Sequence, residues 1–370
     1  MEKFWIVHNI PSPYRLHTFY ALWKECQARG LDFHVHFMSD MSRGYDERPV
    51  SWRNPKIDFP YTYWKDYGIG QRHINPGLLW HLKKHRPDYL LAGSPFDTLT
   101  GMLAGRMIGG VACTWCEGNT KTPGKMDGVI GAVKRFALEG FDYVAVPGGD
   151  AAKYIELHQQ MARRKMPKPV VLPNLVDETM FIAASSKARK NDVRQAIIPA
   201  RLKPVKGLIE FVGLLTPDML NGWVITIIGD GELKEPLLEL ITKRGFAEKI
   251  EILPFVSYEE MPRYYAASDL LILPSIYDPN PLSVVEALHS GLPLALTSEA
   301  GNVEEAVTSG KNGWILPVKD KESFATVLAD VFATPAAKLR AMGEWSKSHN
   351  ARFWDTGSAI KKFVDVMLGE

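Results

Sequence analysis

Leu270-Leu-Ile-Leu273 is followed by Pro274-Ser-Ile-Tyr-Asp278-Pro-Asn-Pro281-Leu-Ser-Val-Val-Glu286-Ala-Leu-His-Ser-Gly291 and then by Leu292-Pro-Leu-Ala-Leu296. The first apolar run is too short for a helix and reads as a buried strand. Pro281 suits the first turn of a helix and Gly291 suits its stop. The second apolar run is again a strand. A strand, a helix and a strand joined by short loops make a parallel β-α-β unit. Within it, Asp278 falls in the loop before the helix and Glu286 about two turns inside. The first free N–H groups of that helix, at Leu282 and Ser283, suit an anion. Two carboxylates flanking such an anion site can grip two polyols, one on each side. Glu286 is conspicuous because its neighbours Val284, Val285, Ala287 and Leu288 are apolar.

The same alternation extends in both directions. Upstream, strands read at 195–199, 223–228 and 250–253, with helices at 207–215, 232–243 and 258–267; downstream, a strand reads at 313–316. Earlier still, strands read at 4–8, 33–37, 89–92, 111–115, 143–146 and 169–172, with helices at 16–30, 78–85 and 99–108. Ala183-Ala-Ser-Ser-Lys-Ala-Arg-Lys-Asn191 is small and polar and reads as a linker. Two doubly wound α/β domains in tandem are expected, in keeping with a length of 370 residues.

Lys plus Arg number 44 and Asp plus Glu 42, a net charge of +2, which excludes nucleic-acid binding through bulk positive charge. No run reaches the roughly 18 apolar residues of a spanning helix. The short apolar start Phe4–Val7 does not make a secretory signal, so a cytoplasmic chain is expected. Three cysteines do not make a disulfide scaffold. Cys113 and Cys116 form one C-x-x-C with no second pair for zinc, and read best as small buried residues.

Several motifs are missing. There is no G-x-G-x-x-G and no G-x-S-x-G. Gly118 to Lys125 misses the phosphate-loop spacing, with Met126 where a magnesium-binding hydroxyl belongs. No Asp-x-Asp metal clamp occurs. What is present is Ala200-Arg201-Leu-Lys-Pro-Val-Lys206-Gly207, which follows a strand and opens a helix, so two cations join a helix N-terminus. Ile228-Gly229-Asp-Gly231-Glu232 is a second tight loop after a strand. Taken singly, each of these loops is equally well read as a solvated turn.

In order and spacing, these stretches resemble the retaining glycosyltransferases of family 4, often called group 1 glycosyltransferases. The resemblance is carried by Ala200-Arg201…Lys206-Gly207, Gly229-Asp-Gly231, Ala267-Ser-Asp-Leu-Leu-Ile-Leu-Pro-Ser275, the Asp278-to-Glu286 element, Gly301-Asn-Val-Glu-Glu305 and Asn312-Gly-Trp-Ile-Leu-Pro317, with Pro173-Asn174…Asp177…Phe181 at the junction. It covers Pro169 onward; residues 1–168 match in layout and in the opening Pro-x-Pro-Tyr-Arg. It implies a GT-B fold, with two Rossmann-like domains facing a central cleft. The first would be an acceptor domain at 1–182, completed by a returning helix at 350–370 that begins near Phe353-Trp354. The second would be a donor domain at 183–349.

The implied reaction transfers a sugar, with retention, from a UDP- or GDP-linked donor to a saccharide or lipid-linked acceptor, in cell-surface polysaccharide or glycoconjugate synthesis. Arg201 and Lys206 would bind the diphosphate, so that no metal and no cofactor beyond the nucleotide sugar is needed. Gly207, Gly229, Pro281, Leu282 and Ser283 would complete the donor site, Glu286 would hold the ribose, Phe255 and Val256 would lie by the base, and Asp278 would meet the transferred sugar. The family carries Glu where Asp278 stands, and Phe-Gly in place of Asn280-Pro281. In the first domain, Ser12, Tyr14 and Arg15 on the first loop and Glu117 after a strand would meet the acceptor or the sugar. The basic clusters His81-Leu-Lys-Lys-His-Arg86 and Arg163-Arg-Lys165…Lys168 imply weak contact with an anionic membrane surface, at the inner face; no nucleic-acid partner is implied. The competing readings are a sugar-nucleotide epimerase on a similar fold and a catalytically inactive GT-B subunit.

Overall fold

The computed structural model describes residues 1–40, 55–68, 73–94, 96, 98–122, 128–162, 164–185 and 193–370. The chain divides into two units, 1–175 with 356–370, and 176–355. The changeover falls before α6 (Glu178–Ser185), so the start of the expected linker is helical. Residues 186–191 of that linker, together with Lys125, Met126 and Arg163, lie outside the described residues.

In the first unit the strands are β1 (Lys3–His8), β2 (Asp32–Phe37), β3 (Tyr61–Tyr63), β4 (Tyr89–Ala92), β5 (Val111–Trp115), β6 (Tyr143–Val146) and β7 (Lys168–Val171). They form a parallel sheet in the order β3-β2-β1-β4-β5-β6-β7 among the described residues. The helices are α1 (Pro13–Ala28), α2 (Pro76–His85), α3 (Leu99–Ala104), α4 (Gly128–Leu138) and α5 (Gly149–Gln160). The unit is completed by α14 (Thr356–Leu368), which packs on α1. Arg29 pairs there with Asp365 and, at 2.6 Å, with Glu370, and His17 lies 3.1 Å from Thr356 Oγ1.

The second unit runs from α6 through β8 (Arg194–Pro199), α7 (Leu208–Leu214), β9 (Trp223–Ile228), α8 (Lys234–Lys243), β10 (Ile250–Leu253), α9 (Met261–Ala267), β11 (Leu270–Leu273), α10 (Leu282–His289), β12 (Leu294–Thr297), α11 (Val303–Ala306), β13 (Gly313–Leu316), α12 (Lys321–Ala333) and α13 (Ala336–Ser348). Its parallel sheet has the order β10-β9-β8-β11-β12-β13 among the described residues. Helices cover both faces of such a sheet, so β11 and β12 are buried throughout and read as unbroken apolar runs. Trp223 is wholly buried in this core, and its Nε1 donates to Phe332 O at 2.9 Å. Burying an aliphatic or aromatic side chain of this kind contributes roughly 1.5–3 kcal/mol, so the apolar strand runs that specify the topology also stabilise it. Among the described residues, no helix is long and apolar enough to cross a membrane. Cys113 and Cys116 are both buried and form no disulfide, and burial pushes the Cys113 thiol up.

Candidate active site

In the second sheet β8 has β9 on one side and β11 on the other. The strand order reverses between β8 and β11, and open α/β sheets take ligands beyond the carboxyl ends of their strands at such a point. The loop after β8 carries Arg201, Lys206 and Gly207. The loop after β11 carries Asp278 and leads through Pro281 into α10. The two loops are bonded together: Ile276 N donates to Val205 O at 2.9 Å. Gly207 has φ +64°, and a Cβ there would stand 2.2 Å from Pro274 O. Gly229, after β9, has φ +154°, and a Cβ there would stand 2.0 Å from Ala200 O. Glycine at both places lets three loops close backbone to backbone. From the other side, the loop after β12 holds the Asp278 segment. Gly301 N donates to Asp278 O at 2.8 Å, and Asn302 Nδ2 donates to Pro281 O at 3.1 Å.

Lys206 Nζ donates to Asp278 Oδ2 at 2.5 Å, and the two side chains are 13% and 15% exposed. The residues read as the diphosphate cation and the sugar carboxylate are therefore partners of one another. Arg201 is exposed on the same loop. Pro281 is the N-cap of α10 and no side chain caps this helix end, where Leu282 and Ser283 form the first turn. Glu286 is five residues into α10, a little over one turn rather than two, and is 9% exposed. Tyr265, on α9, donates its hydroxyl to Glu286 Oε2 at 2.5 Å. Burial pushes the Glu286 carboxyl up to about 7, against the lowering effect of that hydrogen bond. Burial and the adjoining Glu286 charge hold the Tyr265 phenol well above its ordinary range, so it remains a donor. Phe255 is exposed and Val256 half-buried on the loop that follows β10. Gly229 N donates to Leu253 O at 3.0 Å, which ties that loop's start to the β9 loop.

The first unit has its own reversal, between β1 and β4. Ser12 is the buried N-cap of α1 with Pro13 at the first position, so Tyr14 and Arg15 lie in the first helical turn rather than on the loop. The Arg15 side chain is 4% exposed. Its guanidinium donates to Asn174 Oδ1 at 2.5 Å, pairs with Glu117 and lies 3.9 Å from the Trp115 ring centre. Asn174 Nδ2 also donates to Glu117, at 3.1 Å. Glu117 keeps 41% of its side chain exposed. A cavity of about 340 Å³ opens here, bordered by Tyr14, Arg15, Phe96, Trp115, Glu117 and Tyr154 among others. The four first-unit candidates are thus close in space, but Arg15 is committed to its neighbours and Glu117 is the one that faces outward.

Sequence reading missed Tyr265 and Trp115, which sit in an apolar helix face and an apolar strand and look like core. Asn174 was visible only as part of the junction motif. Among the described residues, no group of three or more His, Cys, Asp or Glu is placed to hold a metal ion.

Residues 182–349 match the family described as glycosyl transferases group 1. The match falls within the second unit. A D-inositol 3-phosphate glycosyltransferase of Streptomyces avermitilis is 29% identical over 261 residues, 66% of this chain and 54% of the relative. An Escherichia coli UDP-Gal:α-D-GlcNAc-diphosphoundecaprenol α-1,3-galactosyltransferase is 27% identical over 214 residues, 54% of this chain and 53% of the relative. The chain thus spans about half the length of the curated relatives it matches. Among solved structures, Anabaena HepE in complex with UDP superimposes with a TM-score of 0.75 at 15% identity, covering 100% of each chain. The apo lipopolysaccharide outer core galactosyltransferase WaaB gives 0.70 at 16% identity, covering 99% of each. These likenesses establish the fold, which is GT-B.

Proposed function

We propose that this chain is a glycosyltransferase that uses a nucleoside diphosphate sugar, retains the anomeric configuration and needs no metal ion. The observation that carries the reading is the Lys206–Asp278 pair at the strand-order reversal of a unit that matches the group 1 glycosyl transferases, with Arg201 on the loop of Lys206 and Glu286 on the helix that follows Asp278. Arg201, Lys206 and the uncapped start of α10 supply positive charge where a diphosphate leaving group becomes more negative, which is the role a divalent cation would otherwise take. Gly207 and Gly229 admit the backbone to that site. Asp278 meets the transferred sugar, Glu286 the ribose, and Phe255 with Val256 the base. A hydroxylated acceptor, saccharide or lipid-linked, occupies the cavity beside Tyr14 and Glu117, where aromatic faces and a carboxylate suit a sugar ring. The support for a nucleotide donor is that HepE, of the same fold, has been solved with UDP and with UDP-glucose. The support for a lipid-linked acceptor is the E. coli relative, whose name gives a diphosphoundecaprenol substrate.

Weak contact with an anionic membrane, at its inner face, is part of the same reading. It rests on Lys83, Lys84 and Arg86 at the end of α2 and on α4, whose Val129, Ile130, Val133 and Phe136 are exposed beside Lys134 and Arg135. His81 does not contribute charge there, because it stacks on Trp5 and its pKa is lowered by burial. Flotation with anionic vesicles at low salt checks this contact, and failure to float refutes it.

The test of the activity is release of free nucleotide from a panel of UDP- and GDP-sugars, with candidate acceptors, in the presence and absence of EDTA. Release that persists with chelator supports the proposal. Release abolished by EDTA and restored by magnesium or manganese removes metal independence. A new sugar nucleotide without release points to an epimerase. Donor binding by thermal shift without turnover points to an inactive subunit.

A further inference from the structure

Glu286 has two carboxylate oxygens in a buried place, and the protein occupies one of them. Oε2 accepts from the Tyr265 hydroxyl at 2.5 Å, and Tyr265 is itself wholly buried. Tyr265 comes from α9, twenty-one residues earlier in the chain. Its ring is fixed by an edge-on contact with Phe181 of α6, with centroids 5.7 Å apart. Phe181 makes a second edge-on contact with Tyr258, whose hydroxyl accepts from Asp177 N at 3.0 Å. Helices α6, α9 and α10 pack on one another. Oε1 is thereby the oxygen left for a ligand, in a rotamer that the protein sets in advance.

We infer that Tyr265 is a positioning residue for nucleotide binding: its hydroxyl locks Glu286 so that Oε1 meets the ribose diol of a nucleoside diphosphate. The inference rests on the donor-site reading of Glu286. A carboxylate tethered through one oxygen has lost its rotamer freedom before the ligand arrives, and affinity rises because that ordering is not repeated on binding. A hydrogen bond to a charged group that is set in this way is worth about tenfold or more in affinity. Tyr265 touches no substrate, so turnover at saturating donor should not change.

The experiment titrates UDP and GDP, and their 2′,3′-dideoxy forms, into the full-length protein by calorimetry, with Tyr265→Phe, Glu286→Ala and the double variant. The wild type is expected to prefer the ribonucleotide of its own base by tenfold or more. Tyr265→Phe is expected to lose most of that preference while kcat at saturating donor stays within about twofold. In the Glu286→Ala background, Tyr265→Phe is expected to change nothing further, because it acts only through Glu286. That comparison also serves if Tyr265→Phe alone fails to fold, since Glu286→Ala removes the buried carboxylate left without its donor. A Tyr265→Phe protein that keeps the wild-type ribose preference, or costs that add in the double variant, overturns the inference. A wild type that binds both sugar forms equally overturns the assignment of Glu286 to the ribose, and the role of Tyr265 with it.

Discussion

Removing either member of the Lys206–Asp278 pair should cost stability as well as activity. A loop cation read from sequence looks solvated, and its loss from an exposed ion pair would cost at most about 1 kcal/mol. The structure puts Nζ 2.5 Å from Oδ2, with both side chains about one-seventh exposed. Cutting one partner from a fully buried pair costs about 3–5 kcal/mol, and a charged hydrogen bond contributes about 1.5–3 kcal/mol. With part of each group in water, we expect about 2 kcal/mol for Lys206→Ala and a similar or smaller loss for Asp278→Asn. In a unit of this size that lowers the melting temperature by about 4–8 °C. The double variant should melt close to the single variants, because the second change removes a group already unpaired. The pair also competes with ligand, since Lys206 cannot give its full charge to a diphosphate while it serves Asp278. Asp278→Asn should therefore bind free nucleoside diphosphate as well as the wild type or better, while kcat/KM with the sugar donor falls about ten- to a hundredfold. Calorimetric melts of the four proteins and nucleotide titrations provide the assay. Single variants that melt like the wild type, or a double variant whose losses add, would refute the coupling.

Arg201 is exposed on the same loop, so Arg201→Ala should leave the melting temperature unchanged and lower kcat about a hundredfold; normal steady-state kinetics would remove it from the diphosphate site. Gly229→Ala should cost about 3 kcal/mol or more, because its Cβ would stand 2.0 Å from Ala200 O at φ +154°; an unchanged denaturation midpoint would contradict the loop closure described above. Burial lowers His8 to about 3 and His36 to about 2, the latter also crowded by His34, His81 and His85. A depressed histidine contributes stability that is present above its unfolded pKa of about 6.5 and is lost as pH falls below it. Each should cost the first unit about 1.4 kcal/mol at about pH 5.5, and His36→Leu should remove its share of the resulting drop in melting temperature; a melt that does not change between pH 7 and 5.5 would argue against neutral, buried imidazoles.

The strands were the most legible part of the sequence. Leu270–Leu273 and Tyr143–Val146 lie where apolar runs put them, because a parallel strand covered on both faces has few polar positions to blur the signal. β3 escaped because it is a three-residue edge strand with every side chain exposed. The start of α1 was placed late because Pro11 and Pro13 read as a break, whereas Pro13 is the first residue of the helix. In the site, positions relative to helix ends were readable and pairings were not. Lys206 and Asp278 are 72 residues apart, and Arg15 and Asn174 are 159 apart. A single chain carries no local mark of such closures. Tyr265 was hidden differently: its ring satisfies the helix's apolar pattern, and only the placement of its hydroxyl separates it from core.

The first unit is made from two stretches of chain separated by residues 176–355. On the ribosome, α1 emerges early, and its partner α14, which it meets through His17 and the adjoining Arg29, is translated only after the whole second unit. α1 ends at Ala28 and α14 begins at Thr356, so at about 5–20 residues per second that wait is roughly 15–65 seconds. The second unit is contiguous and can close as it emerges, so the usual order in which the N-terminal domain finishes folding first is inverted. A nascent chain stalled before Thr356 would carry a complete second unit and a first unit with one helix face bare. Such a product is a natural client for chaperones and proteases, and loss of the last fifteen residues should be felt first at the other end of the polypeptide.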